Sequence, residues 1–187
     1  MATLAAEPQL LTARLLLRPL QLPDFEGWAS LMADEAAARP IGGPLSRSLA
    51  WRGFMSVAGS WHLTGFGMFS VLERRSGRWI GRVGPWYPEG WPGTEIGWAL
   101  LPDCWGQGYA TEAAIAAADW AFATLGWDEI VHLIRPDNSL SRRVALKLGS
   151  RNRGPVRMPP PYESDVVEQW GQSRGEWFAQ RPQLPLR

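Results

Sequence analysis

The stretch DCWGQGYATEA, residues 103–113, carries the strongest structural signal in the chain. Two glycines, Gly106 and Gly108, stand one residue apart, after an apolar run and before alanine-rich sequence. A glycine-rich turn from a strand into a helix aims unpaired N–H groups and the positive end of the helix dipole at one point. Glycine also permits positive φ angles and a close approach to the backbone. The stretch therefore predicts either a phosphate-binding turn or a turn that needs glycine only for its shape.

Length and composition describe a globular chain. The 187 residues are 45% hydrophobic and 20% charged, which predicts one domain over residues 1–187, with a core over about 10–180 and short flexible termini. A formal net charge of +1 argues against nucleic acid as a partner. No run approaches 18 apolar residues and the start lacks basic residues, so we expect no membrane span and no signal peptide. The single Cys104 argues against a disulfide or a multi-cysteine metal site and fits a cytoplasmic location.

Apolar periodicity on both sides of the glycine turn predicts an α+β order. Strands are expected over residues 14–20, 67–74, 78–86, 94–101, 129–136 and 166–172. Helices are expected over residues 22–38, 48–61, 111–126 and 138–149, and residues 151–165 are expected to be irregular. Short turns join the second, third and fourth strands, which predicts an antiparallel meander, because parallel neighbours need a crossover of about a dozen residues. The only crossover then lies at the glycine turn.

The helices are expected to present apolar faces to the core. The second helix has Trp51, Phe54, Met55 and Ala58 on one side, and the helix over 138–149 turns Leu140, Val144 and Leu148 inward.

Two familiar nucleotide motifs fit the glycine turn poorly. A P-loop needs Gly-x-x-x-x-Gly-Lys-Ser/Thr, and that pattern does not occur. A dinucleotide fingerprint needs a third glycine where this chain has Thr111, and the acidic pair Asp128 and Glu129 comes before the next strand instead of at its carboxyl end.

Four segments in order carry a resemblance to a known family. They are TARLLLRPLQLPDFEGW (residues 12–28), TEIGWALLPDCWGQGYATEA (94–113), NSLSRRVALKLGS (138–150) and DVVEQWGQSRGEW (165–177). Together they resemble the GNAT superfamily of acyl-CoA-dependent N-acyltransferases, in particular the branch related to bacterial ribosomal-protein N-terminal alanine/serine acetyltransferases. The resemblance implies a single-domain GNAT fold, with a mixed, mostly antiparallel sheet of about six to seven strands flanked by about four helices.

The resemblance also implies a binding site for acetyl-CoA. The family's pyrophosphate loop aligns with Trp105 to Ala110, so N–H groups up to Thr111 are expected to hold the pyrophosphate. The thioester and pantetheine are expected along the backbone of the preceding strand, and further CoA contacts come from the second segment. The implied contacts are Ala99, Leu100, Leu101, Trp105, Gly106, Gln107, Gly108, Tyr109, Ala110, Thr111, Asn138, Ser141 and Arg142. No metal is expected. Arg142 and Arg143 are equally readable as solvated charges on the helix surface.

Acetyl transfer to nitrogen needs a neutral amine, so a base at the acceptor is useful. Glu95 is the candidate, acting directly or through a water, because it lies near the start of the strand that would carry the thioester; a cross-strand salt bridge or a solvated carboxylate is the other interpretation. His62 and His132 are weaker candidates, and His132 stands between apolar residues. The N–H of Leu100 is expected to bind the oxyanion.

The leaving thiolate needs little help, since a free thiol has a pKa of about 8.5. The tyrosine that many relatives place seven residues after the asparagine is Ala145 here, which puts a tyrosine acid in doubt. Ser141 is the substitute that the branch suggests, although a capping role fits it equally well. Ser150 stands where the family usually has an aromatic residue, and we expect looser packing there. No His/Asp pair accompanies Cys104 in the sequence, which argues against an acyl-cysteine mechanism.

The sequence therefore predicts a cytoplasmic, acetyl-CoA-dependent N-acetyltransferase that works by direct attack in a ternary complex. The acceptor is a small-molecule amine or a protein N-terminus, and a homodimer stays open; neither nucleic acid nor membrane is an expected partner. Twelve tryptophans are read mainly as core fillers, and the acceptor cleft is expected to involve Trp86, Tyr87, Trp91 and Tyr162. Two alternatives stay open: a non-catalytic acyl-CoA-binding or regulatory protein, and an interaction protein that leaves the turn unused.

Overall fold

The computed structural model describes residues 8–181, which form one eight-stranded sheet in the order β1-β2-β3-β4-β5-β6-β8-β7 and six α-helices. The strands are β1 (Leu10–Leu11), β2 (Leu15–Arg18), β3 (Phe69–Glu73), β4 (Trp79–Trp86), β5 (Glu95–Leu100), β6 (Glu129–Ile134), β7 (Arg151–Val156) and β8 (Val167–Ser173). The helices are α1 (Phe25–Ala33), α2 (Glu35–Ala38), α3 (Arg47–Thr64), α4 (Tyr109–Trp120), α5 (Ser139–Lys147) and α6 (Arg174–Gln180). The expectation of flexible termini falls outside the described residues.

The predicted α+β fold is confirmed, with slightly more strands and helices than expected over residues 8–181. The expected irregular stretch is wrong in part, because residues 151–156 form β7, which pairs antiparallel with β8 at the edge of the sheet. Three of the six residues in RNRGPV are exposed arginine or asparagine, which suits an edge strand and conceals the alternation that marks a half-buried one.

One crossover makes the sheet mixed, as the sequence predicts. β3, β4 and β5 form the antiparallel meander, and α4 leads to β6, which lies parallel to β5. β5 and β6 share a single register pair, Glu95 with Val131, and then separate. The separation leaves the polar edge of β5 open toward β6 just before the glycine turn.

Helices cover both faces of the sheet. α4 and α6 pack on one face through Ile115 and Trp177, with Phe122 from the turn that follows α4, while α1 and α3 pack on the other through Trp28 and Phe54. Within residues 8–181 no helix combines the length and the apolar character that crossing a bilayer requires.

Two expected helix faces are rotated from their predicted positions. In α3 the inward positions are Ala50, Phe54 and Val57, whereas Trp51 and Met55 are exposed; the buried stripe follows the i, i+4, i+7 spacing. Trp51 instead packs edge-on against Phe25 of α1. In α5 Leu148 is buried as predicted, but Leu140 is exposed at the start of the helix, beside the cavity described below.

Asp24 fixes the start of α1 against the sheet. Its carboxylate accepts a bidentate ion pair from Arg18 of β2, at 2.7 and 2.8 Å, and hydrogen bonds from Ser70 of β3 and the N–H of Gln21. Burial raises the pKa of Asp24, but these bonds outweigh it and leave the pKa below its ordinary value. The wall that α1 supplies to the cavity is therefore tied to two strands.

Candidate active site

A cavity of about 760 Å³ runs from the glycine turn, through the opening between β5 and β6, to the face of the sheet under α1 and α3. We divide it into two parts. The loop lobe is lined by the turn 104–111, with the exception of Gln107, by Asn138 and by one face of α5. The sheet lobe is lined by Trp28, Met68, Arg82, Trp86, Trp91, Glu95 and Tyr162.

The glycine turn has the backbone geometry that the sequence predicts. Gly106 and Gly108 have φ angles of 73° and 82°, in the left-handed region that favours glycine. Gly108 is the N-cap of α4, so the amides that open this helix have no intrahelical acceptor. The turn therefore presents several N–H groups to the loop lobe, with the positive end of a 12-residue helix behind them.

A polar clamp holds the turn in place. Arg14, just before β2, donates to the carbonyl of Gln107 at 3.0 Å and forms an ion pair with Glu112 in the first turn of α4 at 2.7 Å. The Glu112 carboxylate also accepts from Thr12 at 2.6 Å. Tyr109 lies under the Arg14 guanidinium and donates its O–H to Glu73 of β3 at 2.9 Å. Side chains thus rigidify the turn from behind and leave its amides free.

Backbone direction decides which atoms of β5 face the opening. The carbonyls of Thr94 and Ile96 accept from Val131 and His132 of β6, so even-numbered positions face β6. Leu101 donates its N–H to Ile80 of β4 at 2.9 Å, and Ala99 likewise faces β4. The N–H groups of Trp98 and Leu100 consequently point into the opening, whereas the expected backbone contacts of Ala99 and Leu101 are turned toward β4.

Trp105 closes the end of β5. Its indole donates to the carbonyl of Leu100 at 2.8 Å, which holds the peptide group between Leu100 and Leu101. The N–H of Leu100 belongs to the preceding peptide group and takes no part in this bond.

Ser141 and Asn138 meet Trp98 across the opening. The Ser141 Oγ accepts hydrogen bonds from Trp98 Nε1 at 3.1 Å and from Asn138 Nδ2 at 3.0 Å. Both lone pairs of the hydroxyl are then occupied, and its own proton is left to donate. Asn138 also caps α5 by accepting from the N–H of Ser141 at 3.1 Å. The capping role that the sequence suggests for Ser141 thus belongs to Asn138, and the Ser141 hydroxyl keeps its proton free to donate.

Three expected CoA contacts do not line the cavity: Leu101, Gln107 and Arg142. The Gln107 amide donates to the carbonyl of Asp103 at 2.8 Å, and Arg142 reaches the carbonyl of Pro136 and lies over the Trp170 ring. Arg143 and Lys147, four residues apart and so on one face of α5, line the cavity instead. The other ten contacts line it.

His132 bridges the separating strands. Its Nδ1 lies 2.7 Å from the carbonyl of Ile96 and its Nε2 lies 3.0 Å from the Ser150 hydroxyl. Burial lowers the pKa of His132 to about 4, so the ring is neutral at pH 7. Ser150 is buried and also accepts from Gln172, so the expectation of looser packing at this position is wrong. His132 is a structural residue at the vertex of the opening.

Glu95 stands where β5 and β6 begin to separate, and it is only 8% exposed. Its carboxylate accepts from Trp91 Nε1 at 2.7 Å and, at 3.4 Å, from the N–H of Leu133. Burial is the main reason that the pKa of Glu95 rises to about 7, and these bonds and the charge of Arg82 offset part of the rise. The salt-bridge alternative does not hold, because no ion pair to Glu95 occurs within residues 8–181. A carboxyl that titrates near neutral pH is suited to exchange protons with a substrate.

Glycine at position 97 of β5 lets the Met68 side chain pack directly against the strand in the sheet lobe. Gly84 is the register partner of Gly97, and a Cβ on Gly97 would meet the Met68 methyl at 2.8 Å. Arg82 and Trp86 extend from β4 on the same side of the sheet as Glu95. Trp86, Trp91 and Tyr162 line the lobe as predicted, whereas Tyr87 is exposed and does not.

Cys104 and His62 are unsuited to the chemistry. Burial, with the nearby Asp103 carboxylate, raises the pKa of the Cys104 thiol to about 11, so the thiolate is scarce at pH 7. His62 is exposed on α3 and does not line the cavity.

Sequence reasoning missed Arg82, Trp28 and Trp98. One feature of the sequence could have pointed to Arg82: it is a charged residue within the apolar strand WIGRVGPW, on the face that also carries Trp86.

The chain matches a known protein family over most of its length. The model of the "Acetyltransferase (GNAT) domain" family matches residues 14–151. The crystal structure of an acetyltransferase from Agrobacterium tumefaciens is 30% identical, with a TM-score of 0.79, and the similarity covers 93% of this chain and 99% of that one.

Two further structures share the fold at lower identity. The ribosomal-protein-S5-alanine acetyltransferase from Vibrio fischeri is 16% identical with a TM-score of 0.69, covering 91% of this chain and 98% of that one. Mycobacterium smegmatis RimJ, in complex with CoA-disulfide, is 18% identical with a TM-score of 0.67, covering 91% and 88%. The chain spans about half or less, 35–55%, of the length of the curated relatives that it matches. The family resemblance drawn from the sequence is thereby confirmed.

Proposed function

The chain belongs to the GNAT acetyltransferase family, and we propose that it transfers the acetyl group of acetyl-CoA to a primary amine by direct attack in a ternary complex. The observation that carries the proposal is Glu95, a buried carboxyl with a pKa of about 7, in the same cavity as the glycine turn. A protein that only binds CoA needs the glycine turn. It does not need a titratable carboxyl buried beside Trp91 where β5 and β6 separate. In the loop lobe, the amides of Gly106 and of Gly108 to Thr111 are proposed to hold the pyrophosphate, with Arg143 and Lys147 facing the phosphates.

The N–H groups of Trp98 and Leu100 supply donors for the pantetheine arm and the thioester carbonyl. Of these, Leu100 is proposed as the donor to the oxyanion, because its N–H is the last one of β5 that faces the opening, directly before the glycine turn.

In the proposed reaction the Glu95 carboxylate first takes a proton from the acceptor ammonium. The neutral nitrogen then attacks the thioester carbon, so that a C–N bond forms and the C–S bond breaks. Ser141, whose lone pairs accept from Trp98 and Asn138, donates its proton to the departing sulfur. The excess proton of the attacking nitrogen returns to the Ser141 oxygen, and Glu95 releases its proton to solvent, so that the amide and the CoA thiol are the products. A positioned base contributes about 10²–10⁴-fold to such a step.

An amine panel tests the proposal, with release of the CoA thiol as the readout. The panel contains polyamines, aminoglycosides, amino acids, their amides and peptides with free N-termini. We expect at least one amine to accelerate thiol release well beyond hydrolysis. If thiol release is no faster than hydrolysis with every amine, and CoA still raises the Tm, the protein is a non-catalytic acyl-CoA-binding protein. The absence of any Tm shift with CoA would point to an interaction protein. The cytoplasmic location, the homodimer and the domain limits stay predictions.

A further inference from the structure

We infer that the acceptor amine carries a carboxylate, and that Arg82 in the sheet lobe binds it. The inference rests on the proposed function, because it names the class of acceptor for the same cavity. It makes Arg82 a specificity-determining residue in addition to the groups that perform the chemistry.

Arg82 is a charged side chain that forms no ion pair within residues 8–181. Its guanidinium lies over the Trp28 ring, 4.8 Å from the ring centroid, and its Nη1 touches the thioether sulfur of Met68. Its Nε is buried and has no hydrogen-bond partner among residues 8–181, and no carboxylate of that range forms an ion pair with it. A thioether and an aromatic face are weak substitutes for a carboxylate.

The other arginines near the lobe are paired. Arg39 reaches Asp137 at 3.2 Å, and Arg135 reaches Asp165 at 3.4 Å and Asp137 at 3.6 Å. The Nε of Arg135 also lacks a hydrogen bond within the described chain, but its guanidinium has these two acidic neighbours. Of these three cations only Arg82 forms no ion pair with a carboxylate among the described residues; Glu95 acts on it through its charge without touching it.

Leaving a buried charge unpaired is costly, since burial without a partner disfavours the charged form. Burial lowers the pKa of Arg82 to about 10, and the charge of Glu95 partly offsets this effect. Arg82 therefore still carries its charge at pH 7. Such a cation is retained most readily where a ligand supplies the missing acceptor.

A second orphan donor stands next to Arg82. Trp28 Nε1 is buried, lines the same cavity and has no partner within residues 8–181. The two groups can only donate. Their complement is a group with acceptor atoms and negative charge, which a carboxylate provides. A polyamine or another polycation would instead bring a further positive charge against Arg82. Because Trp86, Trp91 and Tyr162 line the same lobe, an aromatic or apolar body between amine and carboxylate fits the site.

Binding of amine-free carboxylates to the CoA-loaded protein tests the site without requiring turnover. Isothermal titration compares acetate, hexanoate and 3-phenylpropionate with acetamide, hexanamide and 3-phenylpropanamide. We expect at least one acid to bind about 10–100-fold more tightly than its amide, as for a hydrogen-bonded charge pair. Equal affinities within every pair, or no binding of any acid, would overturn the inference.

Three variants assign the preference to Arg82. Arg82→Met should abolish the preference for the acid, and Arg82→Lys, which keeps the charge but loses the planar fork, should keep part of it. Arg52→Met removes a cation from exposed α3 outside the cavity and should leave the preference intact. An acid preference that survives in Arg82→Met would contradict the assignment. If Arg82→Met fails to fold, Arg82→Gln replaces it, with the Tm as the check.

Turnover separates this inference from the proposed function. Phenylalanine, phenylalaninamide and phenethylamine are compared as acceptors, and the acid should have the lowest KM in the wild type and lose that advantage in Arg82→Met. Equal KM values for all three would leave the acetyltransferase standing and remove the carboxylate site. Tight binding of a carboxylate without acetylation of any amine would keep the carboxylate site and remove the acetyltransferase activity.

Discussion

The loop lobe and the sheet lobe of the cavity are built from different parts of the chain. The loop lobe offers backbone N–H groups, held by a short segment with two positive φ angles. The sheet lobe offers side chains from α1, β3, β4, β5 and the loops around them, namely Trp28, Met68, Arg82, Glu95, Trp91 and Tyr162. A backbone site tolerates most side-chain changes and fails when its φ angles are lost. A side-chain site fails when one group is altered.

The largest effect is expected from Glu95→Gln in the sheet lobe. This change keeps the size and the acceptor for Trp91, but it removes the base. We expect kcat to fall about 10²–10⁴-fold, because that is the usual contribution of a positioned base. The wild-type rate should rise with pH through about 7 as Glu95 ionises, and this inflection should vanish in the variant. Steady-state kinetics over pH 5–9 is the measurement.

The affinity for CoA is the internal control for that variant. It should change less than threefold, since Glu95 lies outside the loop lobe. An unchanged pH–rate profile in Glu95→Gln would remove Glu95 as the base. The sheet lobe would then no longer be distinguished from the loop lobe by a catalytic group.

Gly108→Val is the matching change in the loop lobe. A β-branched residue at φ 82° is strained by about 1–3 kcal/mol, so the turn must move and its amides lose their common focus. We expect the affinity for CoA to fall about 10–100-fold, measured by isothermal titration. Gly77→Val is the control, because Gly77 has a φ of 70° in the β3–β4 turn, outside the cavity, with open space around it. Both variants should lose stability, and equal CoA affinities in the two would refute the phosphate cradle.

The buried Glu95 carboxyl should also lower the free energy of unfolding above neutral pH. Its folded pKa of about 7 lies above the ordinary 4.5, so the folded state binds more protons than the unfolded state between these values, and stability falls as pH rises through that window. Glu95→Gln should therefore raise the free energy of unfolding by about 2–3 kcal/mol at pH 8, and by almost nothing at pH 4. For a chain of this size that is about 4–12 °C in Tm at pH 8. A variant that is less stable than the wild type at pH 8 would contradict the buried, unpaired environment of Glu95.

The difference between the lobes also explains what the sequence could predict. The glycine turn is formed by residues that are adjacent in the sequence. Its conformation, the helix after it and the crossover to a parallel strand could therefore be predicted from that segment. Glu95 was identified because it belongs to the strand that enters that turn. Arg82 and Trp28 lie 54 positions apart in the sequence, and their contact depends on how α1 packs on β4, which no local pattern specifies.

Helical and strand phase account for the smaller errors. One residue of rotation around α5 separates Arg142 over Trp170 from Arg143 in the cavity. One residue along β5 separates the N–H of Leu100, which faces the opening, from that of Leu101, which donates to Ile80. Ser150 was misjudged because its partners, His132 and Gln172, come from β6 and β8.

Gln107→Ala should have the smallest effect and sharpens the comparison most directly. Gln107 sits between the two glycines, and a side-chain site would make it a major contact. Its amide instead donates to the Asp103 carbonyl outside the cavity, and its own carbonyl accepts from Arg14 and survives the substitution. We expect a loss of about 0.5–1.5 kcal/mol in the free energy of unfolding, from that one hydrogen bond, and a change of less than threefold in CoA affinity by titration. A tenfold loss of affinity without a fall in Tm would mean that the side chain itself contacts CoA, and the loop lobe would then depend on side chains as the sheet lobe does.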